Sequence, residues 1–168
     1  IGVTKQENLI EVELLDFCVR QELESPTPRG MAVLDPLRVV ITNYEGDDET
    51  LEAAWHPQIE ELGTRQLTFG REIFIERSDF EEVPPKKYKR LSPGEMVRLR
   101  YAYIIRCDEV VKDDAGEVVE IRATYFPDSK SGSDTSGLKP KGVIHFVSAP
   151  NAVPAEVRLY GHLFTTKT

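Results

Sequence analysis

The segment VRLRYAYII, residues 97–105, begins with apolar side chains at every second position. This two-residue period is typical of a β-strand that buries one face, because successive side chains of a strand point to opposite faces of its sheet. In such a strand Arg98 and Arg100 share one face, and the other face carries Val97, Leu99 and Tyr101. Two neighbouring guanidinium groups repel each other unless an anion lies over them, so the same residues predict a strand and a cationic surface.

Segments on both sides of this stretch keep the two-residue period, which predicts a mainly β chain. Residues 97–111 are expected to pair with residues 117–126 through a polar turn, and residues 65–69 with residues 71–76 about Gly70. The other predicted strands are 31–34, 37–42, 142–148 and 156–160. Many short strands between turn signals favour an antiparallel β-barrel or sandwich.

A single helix is predicted before the strands, over residues 8–24, where apolar side chains recur on one side. Asn8 can cap this helix together with Glu11, three residues further on, and Pro26 and Pro28 end it. The helix is rich in acidic side chains, and we expect it to pack against the rest of the chain rather than to bind a ligand.

The charges of the chain are unevenly distributed. The 168 residues carry a formal net charge of −8, which taken whole argues against a nucleic-acid binder. Residues 84–106, however, hold seven basic side chains against the single acidic side chain of Glu95, and the ring of Tyr88 lies among them. Such a segment can be a solvated face, but its alternation and its aromatic residue favour a local binding surface for a polyanion such as RNA.

Several functional classes are disfavoured by the sequence. No apolar stretch approaches the ~20 residues that a membrane-spanning helix needs, so we expect no membrane insertion. Cys18 and Cys107 fit neither a zinc cluster nor a disulfide framework, which favours a reduced cytoplasmic protein. His56, His145 and His162 are scattered, and no catalytic motif occurs, so we predict neither a catalytic residue nor a metal site.

Five blocks of sequence, in order along the chain, together form a specific pattern. They are VTKQEN at 3–8, PRGMAVLDP at 28–36, YKRL at 88–91, VRLR at 97–100 and KGVIH at 141–145. In these blocks the chain resembles bacterial glutaminyl-tRNA synthetase, a class I aminoacyl-tRNA synthetase, nearly from end to end. The resemblance places the chain just after the catalytic half of that family.

The resemblance implies a fold, a division into regions and a partner. Residues 1–27 would be a helical connector from a missing catalytic half, and residues 28–168 an incomplete proximal anticodon-binding β-barrel with a fold like that of ribosomal protein L25. In the family, ATP with magnesium and glutamine bind only the catalytic half, whose HIGH and KMSKS signatures are absent from this sequence. We therefore expect no cofactor in these residues, tRNA(Gln) as the partner, and a monomeric parent ligase.

The family's anticodon contacts, carried over residue by residue, overlap the basic segment. The predicted tRNA-binding residues are Arg29, Lys87, Lys89, Arg90, Arg98 and Arg100. Lys87 stands where the family is associated with a glutamine, and a lysine keeps donors but lacks the acceptor of an amide. The implied mechanism is that anticodon bases are splayed apart and read by arginine forks and lysine donors.

Three other functions fit parts of the same pattern. The anticodon-binding barrel of an archaeal or eukaryal-type glutamyl-tRNA synthetase shares the architecture, although the five blocks fit the glutaminyl enzyme better. A stand-alone L25-like barrel would bind ribosomal RNA, and the helical lead-in and the missing initiator methionine count against it. A protein-interaction barrel would use its basic strand to meet an acidic partner.

Overall fold

The computed structural model describes residues 12–24 and 27–159. Its first element is helix α1, Val12–Glu24, which confirms the predicted helix over its described part. Asn8, Glu11 and Pro26, the predicted ends of that helix, lie outside the described residues. Contrary to expectation, α1 buries none of its side chains, and its apolar residues are about half exposed.

Within residues 27–159 the chain forms nine strands, so the prediction of a mainly β fold is confirmed. The strands are β1 (Pro36–Ile41), β2 (Glu49–Ala54), β3 (Thr64–Phe69), β4 (Glu72–Glu76), β5 (Met96–Leu99), β6 (Ile104–Lys112), β7 (Val118–Phe126), β8 (Val143–Ile144) and β9 (Val147–Ser148). Short 3-10 turns lie at Glu60–Leu62, Arg77–Asp79 and Pro127–Ser129.

Seven of these strands form one curled sheet in the order β8-β5-β6-β7-β1-β4-β9, and β2 pairs separately with β3. The two edge strands, β8 and β9, are separated in sequence only by His145 and Phe146. Three residue steps span at most about 11 Å, so the edges must lie close together and the sheet must curl into a barrel-like form. The predicted single strand 142–148 is therefore two strands at opposite edges.

The sheet is mixed rather than purely antiparallel as predicted. β1 lies parallel to β7, and β5 lies parallel to β8, whereas β1 with β4 and β5 with β6 are antiparallel. Parallel neighbours need a long connection, and here the chain runs through β2 to β6 between β1 and β7. Alternation in a sequence predicts a strand but carries no information on the direction of the strand beside it.

The predicted strand 97–111 is divided into β5 and β6 by a turn. The amide of Leu99 donates to the carbonyl of Tyr103 at 2.8 Å, and Tyr101 adopts a left-handed backbone with φ of +65°. The sequence pattern missed this turn because apolar residues continue through it and are buried on both sides. The predicted pairing with the following segment is confirmed, since β6 and β7 form an antiparallel hairpin.

The predicted hairpin about Gly70 is wrong. β3 pairs with β2, whereas β4 pairs with β1 and β9. Gly70 lies so close to Asp48 that an added Cβ atom would be 1.9 Å from its Oδ1, and at this close approach the chain passes from one sheet to the other. The sequence did not predict β2 because ETLEAA is poor in the β-branched and aromatic residues that favour strands.

The predicted strand 31–34 is not formed either. The amides of Leu34 and Asp35 donate to the two carboxylate oxygens of Glu76 at 2.6 and 3.1 Å. They therefore bond to a side chain, not to the backbone carbonyls of a neighbouring strand. The predicted strand 156–160 is likewise absent up to residue 159, and its last residue lies outside the described part.

Buried apolar side chains pack inside the curled sheet, against the inner face of β5. Phe69, Tyr103, Tyr125 and Phe146 pack ring against ring, with centroids 5.1 to 5.8 Å apart. Phe146, between the two edge strands, is fully buried and so ties both edges to this core. The core thereby holds β5, whose outer face carries the predicted site.

Candidate nucleic-acid interface

Strand β5 places its two arginines on the outer face, as the two-residue period predicts. Val97 and Leu99 are fully buried, whereas Arg98 is partly exposed and Arg100, directly after the strand, is exposed. The amides of Arg98 and Arg100 both donate to the β8 segment, to the carbonyls of residues 142 and 144 at 2.9 Å each. The alternation therefore continues through Arg100, and both side chains share one face.

For Arg98, but not for Arg100, the described part of the chain itself supplies the expected anion. Arg98 contacts the carboxylate of Asp134, and its NH1 group donates to the carbonyl of Ser129 at 2.6 Å. Asp134 in turn accepts hydrogen bonds from the amide and the hydroxyl of Ser136 at 2.8 and 2.7 Å. These bonds, together with Arg98, hold the pKa of Asp134 below its ordinary value, so its carboxylate stays ionised.

The basic loop before β5 begins with a tight turn. The amide of Tyr88 donates to the carbonyl of Pro85 at 3.1 Å, and Lys87 has a φ of +69°, the pattern of a type II turn. Further along, the carbonyl of Lys89 lies so close to Gly142 that a Cβ atom there would be 2.0 Å away. The loop is therefore seated against the start of β8, next to the outer face of β5.

Two side chains of this loop are anchored to the turn that follows β4. The hydroxyl of Tyr88 donates to the carbonyl of Ser78 at 3.3 Å, and Arg90 donates to the same carbonyl at 2.9 Å. Arg90 also lies 3.2 Å from the carboxylate of Asp79, which is only 6% exposed. Burial raises the pKa of Asp79, and the charge of Arg90 offsets part of that rise.

Arg29, which only the family resemblance identified, lies at the joint between α1 and the strands. Its guanidinium donates to the backbone carbonyl and the carboxylate of Glu24 at 3.1 and 2.9 Å, and its amide donates to the carbonyl of Trp55 at 2.7 Å. A ring nitrogen of His56 lies 2.9 Å from the same Glu24 carbonyl. In the described residues no hydrogen bond or ion pair joins Arg29 to the other five predicted site residues.

The six predicted residues thus fall into two groups. Three of them, Arg29, Arg90 and Arg98, are each paired with a carboxylate. The others, Lys87, Lys89 and Arg100, are exposed and form no ion pair with any side chain in residues 12–24 and 27–159. The neighbouring Lys86 is exposed and unpaired in the same part of the chain. The unpaired group gives the surface its available positive charge.

Sequence reasoning missed the acidic partners of the site. Asp134 stands in a Ser- and Gly-rich loop, and nothing in its local sequence points to an arginine 36 positions away. Lys139 was missed as well: it is exposed and unpaired in the described residues, and it stands close in sequence to Lys141, whose amide bonds to Met96 of β5 at 3.1 Å. Its proximity to β5 follows only from the fold.

The remaining titratable candidates are structural in the described residues. A ring nitrogen of His145 lies 2.8 Å from the carbonyl of Ala32, and His162 lies outside the described part. Cys18 and Cys107 are free thiols, and burial raises the pKa of Cys107 to about 11. No group of three potential metal ligands is found among these residues. No helix in the described residues is both long and apolar enough to cross a membrane.

Comparisons with known proteins identify the family of the chain. A family model described as tRNA synthetases class I (E and Q), anti-codon binding domain, matches residues 27–126. The glutamine–tRNA ligase of Nitrobacter hamburgensis is 56% identical over 167 residues, covering 99% of this chain and 30% of that protein. The ligase of the same name from Psychromonas ingrahamii is 54% identical over 165 residues, with 98% and 30% covered. That of Clostridium perfringens is 52% identical over 161 residues, with 95% and 29% covered.

The chain spans about 30% of the length of the curated relatives that it matches. The family match includes strands β1 to β7 and every residue of the predicted site. The match covers more than half of the chain and includes β5 with its cationic outer face, whereas the edge strands β8 and β9 follow the matched residues. The chain therefore belongs to the anticodon-binding domain family of the class I tRNA synthetases (E and Q).

Proposed function

We propose that this chain reads the anticodon of tRNA(Gln) on behalf of a glutamine–tRNA ligase. The observation that carries the proposal is a group of exposed cations around the outer face of β5, Lys87, Lys89 and Arg100, which have no ion-pair partner among the described residues. They stand out in a chain whose net charge is −8. The relatives at 52 to 56% identity bear the name glutamine–tRNA ligase, which favours glutamine over glutamate as the cognate amino acid.

The two groups of site residues would act differently. Lys87, Lys89 and Arg100 present donors that an anticodon can reach without displacing a protein carboxylate. The three cations would attract the phosphates of the anticodon loop, and the planar fork of Arg100 would read a base edge. Arg29, Arg90 and Arg98 already donate to the protein, so they would contact RNA by sharing or exchanging these bonds.

Backbone strain supports the same location. Lys87 and Tyr101 are the non-glycine residues with positive φ in the described part of the chain, and both flank the cationic surface. Left-handed backbone at such residues costs about 1 to 3 kcal/mol and is retained mainly where a site needs a fixed geometry. We infer that these two positions hold the loop before β5 and the turn after it in place for RNA.

The whole ligase would supply the chemistry. Glutamine and ATP with magnesium would bind outside these residues, as the resemblance implies, and this chain would bind no cofactor of its own. The parent enzyme would be a monomer of the cytoplasm. In this arrangement the chain contributes to which tRNA is accepted and takes no part in bond formation.

The experiment is a binding comparison with short RNA stem-loops at fixed salt. We expect a stem-loop with a glutamine anticodon to bind the chain at least about tenfold more tightly than one with an unrelated loop, as specific base contacts require. Preference for a glutamate anticodon would instead indicate the glutamyl-type enzyme. Tighter binding of a ribosomal RNA hairpin would indicate an L25-like role, and no RNA binding at low salt would contradict the proposal.

A further inference from the structure

We propose that Asp134 is a specificity-determining residue that holds Arg98 in a neutral pair until an RNA group of matching geometry replaces it. The inference rests on the proposed function, since it concerns the same outer face of β5. Its chemistry is competition, because a carboxylate and a phosphate or base edge use the same guanidinium donors.

The pair is built into the fold rather than a casual surface contact. One oxygen of Asp134 contacts Arg98, and the other accepts hydrogen bonds from the amide and hydroxyl of Ser136. The NH1 group of Arg98 is held by the carbonyl of Ser129 at 2.6 Å. Both side chains are mostly shielded from water, with 19% of Arg98 and 27% of Asp134 exposed. Such shielding strengthens an ion pair relative to one at the open surface.

The loop that carries Asp134 is itself bonded into place. The amide of Ser131 donates to the carbonyl of Ala102 at 2.8 Å, next to the turn after β5. The amide of Thr135 donates to the carbonyl of Asp128 at 2.8 Å, which closes the loop on itself. The carboxylate is therefore presented to Arg98 in one position by a fixed backbone.

The neighbouring cations have no such partner. Lys89 and Arg100 are exposed, and no carboxylate in the described residues pairs with either. Free charges of this kind attract any RNA, because the attraction to phosphates does not depend on sequence. Arg98 adds its charge only when Asp134 is displaced, and displacement requires a group that matches its planar fork. The pair thus converts a general attraction into a selective contact.

The test is a salt titration of RNA binding by the 168-residue chain and its variants Asp134→Asn and Asp134→Glu. Two stem-loops are compared, one with a glutamine anticodon and one with an unrelated loop. Asparagine can still accept from Ser136 but removes the charge, so Asp134→Asn should bind the unrelated stem-loop about three- to tenfold more tightly. The slope of log affinity against log salt should steepen by about 0.7, the increment for one more phosphate contact on a single strand. Asp134→Glu keeps the charge and should behave like the unchanged chain.

Glu120→Gln is the matched control. The side chain of Glu120 is 19% exposed, against 27% for Asp134, and it lies 3.3 and 3.4 Å from Arg38 and Arg122. It precedes Phe126, the end of β7 nearest the site, by six residues, or about 20 Å of strand. That distance is about two Debye lengths, so the same change in net charge should leave the salt slope unaltered.

The possible results separate the inference from the proposed function. If the unchanged chain binds neither stem-loop at low salt, the proposed function is wrong and the role of Asp134 falls with it. If the chain binds RNA but Asp134→Asn keeps the original slope, or weakens both RNAs equally, Asp134 only anchors its loop and the inference is overturned. An equal gain in binding with Glu120→Gln also overturns it, because net charge would then explain the effect.

Discussion

Two arginine-bearing surfaces of the same sheet differ in how their charges are compensated. On the central strands β1 and β7, Arg38 lies 2.8 Å from Glu72 and Arg122 lies 3.1 Å from Glu109. Around β5, Arg100 has no such partner among the described residues. Local net charge therefore identifies a cationic segment, whereas pairing across strands determines which of its charges remain available to a ligand.

The largest expected effect comes from removing the buried ring of Phe146, because the core beneath both surfaces depends on it. Phe146→Ala should lower the free energy of unfolding by about 3 to 5 kcal/mol, because it empties a fully buried site between the two edge strands. Urea denaturation followed by tryptophan fluorescence measures the loss. Val143→Ala, in the adjacent edge strand β8 and at a side chain that is 54% exposed, is the control. A Phe146→Ala loss no larger than that of this control would contradict the closure of the barrel.

The next effect separates the two surfaces directly. Arg100→Ala should weaken binding of the glutamine-anticodon stem-loop by about 1 to 3 kcal/mol, because an unpaired arginine is free to contact RNA. Arg122→Ala, which removes an equally charged but paired side chain, should change RNA binding little. Fluorescence anisotropy at one salt concentration measures both variants. Equal losses would show that position and pairing do not matter and that overall charge governs binding.

A smaller effect is expected at a paired arginine of the predicted site. Arg29→Ala should relax discrimination at one anticodon position by about 1 to 2 kcal/mol, since Glu24 already occupies part of its donors. Lys86→Ala should instead weaken every RNA alike and lower the salt slope by about 0.7, since a flexible ammonium contacts only phosphate. Aminoacylation of single-base anticodon variants by the whole ligase distinguishes the two. Uniform losses for Arg29→Ala would identify it as a structural contact with the end of α1.

The smallest effect concerns Glu49, which forms an ion pair with Lys130 in the loop that carries Asp134. Burial alone would raise the pKa of Glu49, but hydrogen bonds from Lys130 and Tyr103 outweigh it and hold this pKa below its ordinary value of 4.5. A carboxylate whose pKa is lower in the folded state adds stability above its unfolded pKa, and this stability is lost as pH falls through the folded pKa. Glu49→Gln should therefore flatten the loss of stability below about pH 4.5.

Thermal unfolding of the unchanged chain and of the Glu49→Gln variant, between neutral and acidic pH, provides the measurement. Glu45→Gln, at an exposed position with no ion pair in the described residues, should leave the acid limb unchanged. The interpretation fails if both substitutions change the acid limb equally.

Much of the β architecture could be predicted, but its connections could not. The hairpin of β6 and β7 follows from local alternation and a polar turn, and both are present in the structure. The hairpin about Gly70 was wrong because β3 and β4 each find partners far away in sequence. The strand predicted at 31–34 was wrong because the Glu76 carboxylate binds the amides at its end. Local pattern describes a residue's own conformation and contains little about its distant partner.

Periodicity and charge are local properties, so they predict that the chain is mainly β, that a basic surface lies around β5, and that Arg98 and Arg100 share a face. The order of the strands, the closure between β8 and β9, and the availability of each charge follow only from contacts between distant residues in the fold. Asp134 reaches Arg98 across 36 positions of sequence, whereas Arg100, two residues further on, meets no carboxylate among the described residues. Salt screens the attraction between exposed charges beyond about 8 Å, so the fold that brings two side chains together determines which cations are compensated.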